Sequence, residues 1–131
     1  MEFKPVFLLI EDNLIDQLVI KQLIKKSLDI EVNITNNGRE GLVWLHDHEN
    51  SNQSIIILLD VQMPIMNAFD FLEEFDKLNE NFKKGIQIYV LSSTLDPDEI
   101  KRINENIYVA DFLNKPLPIE EFIKKRFIFN S

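Results

Sequence analysis

The chain has 131 residues, of which 22 are Asp or Glu and 14 are Lys or Arg, a formal charge of −8. Globular domains run roughly 100–200 residues, so the length predicts a single domain over residues 1–131. With 45% hydrophobic and 27% charged residues, the composition is that of a soluble chain with a real core, not a disordered one. The acidic balance argues against nucleic acid and against an anionic membrane surface, both of which are bound through Lys and Arg. There is no cysteine, and so no disulfide framework or zinc–thiolate chemistry. The longest apolar runs, Val6–Ile10 and Ile55–Leu59, fall far short of the ~20 residues that span a bilayer. The start, Met1-Glu2-Phe3-Lys4-Pro5, has neither a basic n-region nor a cleavage site. A cytoplasmic protein is the expectation.

Two kinds of segment alternate along the chain. Short apolar runs at Val6–Ile10, Ile30–Thr35, Ile55–Leu59, Ile86–Leu91 and Asp111–Leu113 predict strands. The first, third and fourth are almost continuously apolar, as in strands covered on both faces of a parallel sheet. Helical spacing lies between them. Leu18, Val19, Leu23, Ile24 and Leu28 mark the first helix, and Leu42 and Leu45 the second. Phe71, Phe75, Leu78 and Phe82 mark one continuous third helix, and Ile100, Ile103 and Ile107 the fourth. Ile119, Phe122, Ile123 and Phe127 mark the fifth. Start signals fall at Asn37-Gly38, Asp96-Pro97 and Pro118. Five strand–helix repeats predict an α/β fold, a doubly wound (βα)5 with helices on both faces of a parallel sheet. A closed barrel would need about 250 residues.

Such sheets bind ligands at the carboxyl ends of their strands. Glu11-Asp12-Asn13 follows the first strand, and Asp60 ends the third, before Val61-Gln62-Met63-Pro64. Ser92-Ser93-Thr94 ends the fourth, and Asn114-Lys115-Pro116 ends the fifth. Taken singly, Asp12 or Asn13 reads as a helix cap, Ser92 or Ser93 as a strand end, and Lys115 as a solvated loop residue. Taken together they place three carboxylates, a hydroxyl and an ammonium at one edge. Carboxylates so gathered repel one another, and a divalent cation such as magnesium relieves that.

These motifs, in this order, resemble the response-regulator receiver domain of two-component signalling, in its stand-alone form. The resemblance runs from about Pro5 to Phe127. Leu59-Asp60-Val61-Gln62-Met63-Pro64 carries most of it, and Thr35-Asn36-Asn37-Gly38-Arg39-Glu40 supports it. It implies a flavodoxin-like five-stranded sheet in the order 2-1-3-4-5. It also implies that Asp60 is the phosphoacceptor, taking phosphate from a phosphohistidine. Glu11, Asp12, Asp60 and the carbonyl of Gln62 would hold Mg²⁺, with Asp12 the more direct ligand. Ser92 and Lys115 would pair with phosphoryl oxygens, and Gln62 and Thr94 would tune attack by water. Phe112 matches an aromatic switch position, expected to shift inward with Ser92 and to send the signal out through the fourth helix, fifth strand and fifth helix. The implied partners are a sensor histidine kinase or histidine phosphotransfer protein and a downstream protein. A phosphorylation-linked dimer is also within the family's range. The domain would catalyse only its own phosphorylation and dephosphorylation.

Three positions depart from the pattern. Asn67-Ala68 stands where a Gly is usual, Val109 stands where a Gly often precedes Ala-Asp, and the acidic pair is Glu-Asp instead of Asp-Asp. None removes a chemical group. Aspartate-nucleophile phosphatases need a second Asp where this chain has Gln62, and a flavin binder needs a phosphate loop where Glu11-Asp12 would repel phosphate. A receiver-like module that is never phosphorylated would be expected to lose part of the acidic set or the lysine. His46-Asp47-His48 reads as a solvated helix end, and Lys124-Lys125-Arg126 as cations at a helix C-terminus.

Overall fold

A computed structural model describes residues 5–51, 53–61 and 66–125. Within them lie β1 (Val6–Ile10), α1 (Leu14–Leu28), β2 (Asn33–Thr35), α2 (Gly38–Asp47), β3 (Ile55–Asp60) and α3 (Ala68–Asp76). These are followed by α4 (Glu80–Lys83), β4 (Ile86–Ser92), α5 (Pro97–Asn104), β5 (Val109–Asn114) and α6 (Ile119–Ile123). The strands form one sheet in the order β2-β1-β3-β4-β5, with every neighbouring pair parallel. That is the expected doubly wound order. No helix of the described residues is long and apolar enough to cross a membrane.

Alternation along the central strands feeds two cores. Leu8, Ile10, Ile57, Leu59 and Val90 face α2 to α5, packing with Leu45, Phe71, Phe75, Phe82 and Ile103. Phe7, Leu9, Leu58, Tyr89 and Leu91 face the other way, onto Ile20 and Ile24 of α1 and Phe122 of α6. Side chains of this size each contribute roughly 1.5–3 kcal/mol when fully buried, which is why β1 and β3 tolerate no polar residue before their ends.

Asparagine and aspartate caps start the helices that leave the sheet's carboxyl edge. Asn13, Asn37 and Asn67 accept from the amides of Asp16, Glu40 and Asp70, each at 2.9 Å. Asp96 accepts from the Asp98 amide ahead of α5, with Pro97 in the first turn. Among the described helices, α6, entered at Pro118, alone has no side-chain cap. Asn67 and Ala68 build their turn without a left-handed residue, since Asn67 has an ordinary φ of −76° and Ala68 opens α3. A Cβ at Gly38 would lie 2.9 Å from Met66 Cγ, so the start of α2 and the residue ahead of the α3 cap are in contact.

Several expectations are corrected. The third helix breaks in two, because Asn79 leaves the helical region and its side chain caps α4 by accepting from the Asn81 and Phe82 amides. Phe71, Phe75 and Phe82 still reach one cluster, so the periodicity survives the break. The second strand is shorter than Ile30–Thr35: Asp29 closes α1 in a left-handed conformation (φ 56°), and pairing with β1 begins only at Asn33. The fifth strand is longer than Asp111–Leu113, and a register shift against β4 falls between the Val109 and Asp111 pairings. Ile107 is 86% exposed and lies beyond α5, where Asn106 accepts from the Tyr108 amide and turns the chain into β5. Leu18 and Val19 are exposed too, because α1 turns Gln17, Ile20 and Ile24 inward. Gln17 fixes that rotation, donating to the Glu11 carbonyl at 2.6 Å and to Asn36 Oδ1 at 2.8 Å. Arg126 and Phe127 lie outside the described residues.

Candidate functional site

Parallel pairing brings the strand ends to one edge. Ile10 is opposite Leu59, Asp60 opposite Leu91, and Ser92 opposite Asn114. The residues that follow are carried along: Glu11 donates its amide to the Thr35 carbonyl, and Lys115 donates its amide to the Ser92 carbonyl at 3.0 Å. Glu11, Asp12, Asp60 and Lys115 therefore meet, with Ser92 at the end of the neighbouring strand. Gln62 lies outside the described residues.

Lys115 organises the carboxylates. Its Nζ lies 2.8 Å from Glu11 Oε1, 2.9 Å from Asp16 Oδ2 and 3.2 Å from Asp60 Oδ1. The other Glu11 oxygen accepts from the Asn13 amide at 3.1 Å, so this fully buried carboxylate is held at both ends. Burial pushes the Glu11 carboxyl up to about 7; the hydrogen bonds from Lys115 and Asn13 oppose that rise, and the Asp60 charge adds to it. Burial by itself lowers Lys115, yet its hydrogen bonds to Glu11 and Asp16 and the Asp60 charge hold the ammonium above the usual lysine range.

Oxygens of Glu11, Asp12 and Asp60 lie within 4.8 Å of one another. Asp60 is buried and Asp12 is exposed to solvent. Ionised, these three and Asp16 carry four negative charges against the single positive charge of Lys115, an imbalance that a divalent cation would offset. An all-oxygen donor set fits a hard cation such as Mg²⁺.

Ser92 is 4% exposed, and its hydroxyl oxygen accepts from the Thr94 amide at 3.0 Å. The Thr94 hydroxyl oxygen accepts in turn from Asp96, the cap of α5. Hydrogen bonds thus run from the site edge to the start of α5. Phe112, opposite Val90, is half-buried against the core cluster that contains Ile103. The His46-Asp47-His48 tract forms no metal group among the described residues: His48 stacks on Trp44 and bonds its carbonyl, while His46 lies exposed near Glu49.

Sequence reasoning missed two residues. Asp16 lies in the first turn of α1, past the Asn13 cap, and its place in the sequence carries no signal of its contact with Lys115. Gln17 lies within an apolar-patterned helix, where its residue type carries no signal of a partner. It ties the Glu11 backbone to Asn36, whose amide is held by Glu40, and so explains why Thr35-Asn36-Asn37-Gly38-Arg39-Glu40 accompanies the acidic pair.

Raised from 4.5 to about 7, Glu11 makes stability depend on pH. Below the lower value the carboxyl is protonated in folded and unfolded chains alike. Between the two, the folded chain keeps a proton that the unfolded chain has released, so stability falls as pH rises through the window. The full cost, up to about 3 kcal/mol, is present above it. In metal-free buffer, Glu11→Gln is expected to flatten this slope and raise the melting temperature at pH 8. Identical slopes for wild type and variant would show that Glu11 keeps an ordinary carboxyl.

Comparison with known proteins agrees with this geometry. The family model of the response regulator receiver domain matches residues 7–126. The chain is similar to response regulator Rcp1 of Synechocystis sp., with 28% identity over 91% of this chain and 82% of that protein. It is also similar to transcriptional regulatory protein CrdR of Helicobacter pylori, with 29% identity over 90% of this chain and 51% of that protein. Among solved structures, the response regulator receiver protein of Dyadobacter fermentans superposes with a TM-score of 0.83 at 28% identity, covering 93% of this chain and 97% of that one. With its sheet order, its acidic edge and a family match over nearly its whole length, this chain belongs to the response regulator receiver domains of two-component signalling.

Proposed function

We propose that Asp60 accepts a phosphoryl group from a phosphohistidine and that the resulting acyl phosphate changes the surface offered to a downstream protein. The observation that carries this reading is the placement of Asp60. Its carboxylate is buried at a strand end beside Glu11 and Asp12, with the Lys115 ammonium 3.2 Å from one oxygen. An Asp60 oxygen attacks phosphorus while the P–N bond of the donor breaks, and the proton needed by the leaving imidazole comes from solvent or the donor protein. Phosphoryl transfer asks little covalent work of the protein, so positioning and charge neutralisation supply the acceleration.

Asp12, Glu11, Asp60 and the carbonyl of Gln62 are the groups that would hold Mg²⁺, which supplies charge neutralisation at the phosphoryl oxygens. Asp12 is the more direct ligand in this reading, being exposed while Glu11 is committed to Lys115 and Asn13. Ser92 donates its hydroxyl hydrogen to one phosphoryl oxygen and Lys115 pairs with another. Gln62 and Thr94 orient the water that later hydrolyses the acyl phosphate. Catalysis is confined to the domain's own phosphorylation and dephosphorylation.

Movement of Ser92 pulls on Thr94 and Asp96, and so on α5. Phe112, half-buried and lacking a hydroxyl to keep in water, then shifts inward as a change of population, not as a new state. The surface of α5, β5 and α6 is the exit for the signal, toward a partner or a second copy. The donor is a sensor histidine kinase or a histidine phosphotransfer protein, and the exchange takes place in the cytoplasm. It seats on α1, where Leu14, Ile15, Leu18 and Val19 are 74%, 73%, 56% and 41% exposed directly after the acidic pair. An apolar face beside the reacting carboxylate suits a protein donor better than a small one.

Incubation with acetyl phosphate and Mg²⁺ should add the mass of one phosphoryl group to the intact protein. Excess EDTA or Asp60→Asn should abolish the addition with the fold retained, and undiminished labelling in either case would overturn the reading. Leu18→Asp should slow transfer from a phosphorylated histidine protein about tenfold or more while leaving acetyl phosphate labelling unchanged. Equal rates from the protein donor in wild type and variant would remove α1 from the docking surface.

A further inference from the structure

Lys115 contacts a carboxylate that the phosphorylation chemistry does not require. Asp16 Oδ2 lies 2.9 Å from its Nζ, against 2.8 Å for Glu11 and 3.2 Å for Asp60. A carboxylate in the first turn of a helix ordinarily supports the helix start, either by reaching back to the amide of the cap residue or by facing the positive end of the helix dipole. The first of these roles is already filled. The Asn13 amide is taken by Glu11 Oε2, and the Asp16 amide is satisfied by the Asn13 side chain. The Asp16 side chain is instead turned across to the segment after β5, 99 residues away in sequence. It also stands apart from the carboxylates that could share a cation, which among the described residues are Glu11, Asp12 and Asp60.

We propose that Asp16 is a positioning residue for Lys115, holding its ammonium at the mouth of the site by a charge that no bound cation claims. The proposal rests on the magnesium-dependent reading above. Lys115 and a divalent cation are rivals for Glu11 and Asp60. An ammonium held only by those two carboxylates would have to be displaced before a cation could bind, and it would then be free to swing into solvent. Asp16 gives it a third anchor on the α1 side. Glu11 and Asp60 can then turn to the cation while Lys115 stays within reach of an arriving phosphoryl oxygen. The anchor is 38% exposed, whereas the Glu11 side chain is 1% exposed. It can therefore release Lys115 toward the phosphoryl group at lower cost than Glu11 could.

The test is a double-mutant cycle read by calorimetric titration of the unphosphorylated protein with Mg²⁺. Asp16→Asn is expected to weaken Mg²⁺ binding about fivefold, because the released ammonium settles on Glu11 and Asp60. Lys115→Met, which removes the rival, should bind Mg²⁺ more tightly than wild type. Adding Asp16→Asn to Lys115→Met should change affinity by less than about twofold, the remainder being screened long-range charge. Asp16→Glu should restore most of the wild-type affinity, and thermal melts should show all variants folded. Equal weakening by Asp16→Asn with and without Lys115 would overturn the proposal, since Asp16 would then act by its charge or through the fold. No weakening in either background would overturn it as well. If wild type itself failed to bind Mg²⁺, the magnesium-dependent reading would fall first and the role of Asp16 with it.

Discussion

One ammonium makes the acidic edge tenable. Carboxylates from the segment after β1, from α1 and from β3 are drawn together where solvent is partly excluded, and such a cluster cannot remain ionised without compensation. Lys115 supplies that compensation from the far end of the chain, joined to Glu11 across 104 residues. Everything nearby serves this meeting. The β3, β4 and β5 registers bring Asp60, Ser92 and Lys115 to the same edge, each one residue further out than the last, the Asn13 cap orients the start of α1, and Gln17 binds the Glu11 backbone to the β2–α2 turn. The balance is left incomplete, with one positive charge among four carboxylates. Under the proposed reading, that shortfall readies the site for a divalent cation and then for a phosphoryl group.

The two faces of the sheet divide the work under this reading. On the α1 side, exposed Leu14, Ile15, Leu18 and Val19 border the entrance, where a donor must approach. On the other, Ser92, Thr94 and Asp96 form a short relay to α5, and Phe112 packs beside it. Further contacts brace this second face. Arg102 of α5 lies 3.6 Å over the Phe69 ring of α3, and buried Lys83 bonds both the Asp76 carbonyl and Tyr108 before β5. A shift at α5 is therefore made against a supported framework, which favours two discrete arrangements over gradual drift.

The central strands were legible in the sequence because β1, β3 and β4 are covered on both faces, so their apolar runs are nearly unbroken. The site was legible because strand ends in a parallel sheet coincide: Glu11, Asp12, Asp60, Ser92 and Lys115 each follow or close such a run. Less could be read wherever the deciding contact is tertiary. The Asn79 cap breaks a helix whose Phe spacing stays continuous. The rotation of α1 is set by Gln17 reaching Asn36, so Leu18 and Val19, core by periodicity, face solvent. Asp16 has the sequence signature of a helix-start acid, and only the position of Lys115 reveals its other contact. Ile107 follows the spacing of Ile100 and Ile103 but lies past the end of α5, where Asn106 has already turned the chain.

The most direct measurement is chemical location of the phosphoryl group. An acyl phosphate on aspartate is reduced by borohydride to homoserine, whereas phosphoserine, phosphothreonine and phosphohistidine are not converted to it. After phosphorylation and reduction, peptide mapping by mass spectrometry should find homoserine at position 60 and Asp12 and Glu11 unchanged. Homoserine at any other position, or a phosphoryl group that survives reduction on a hydroxyl or imidazole, would contradict Asp60 as the acceptor.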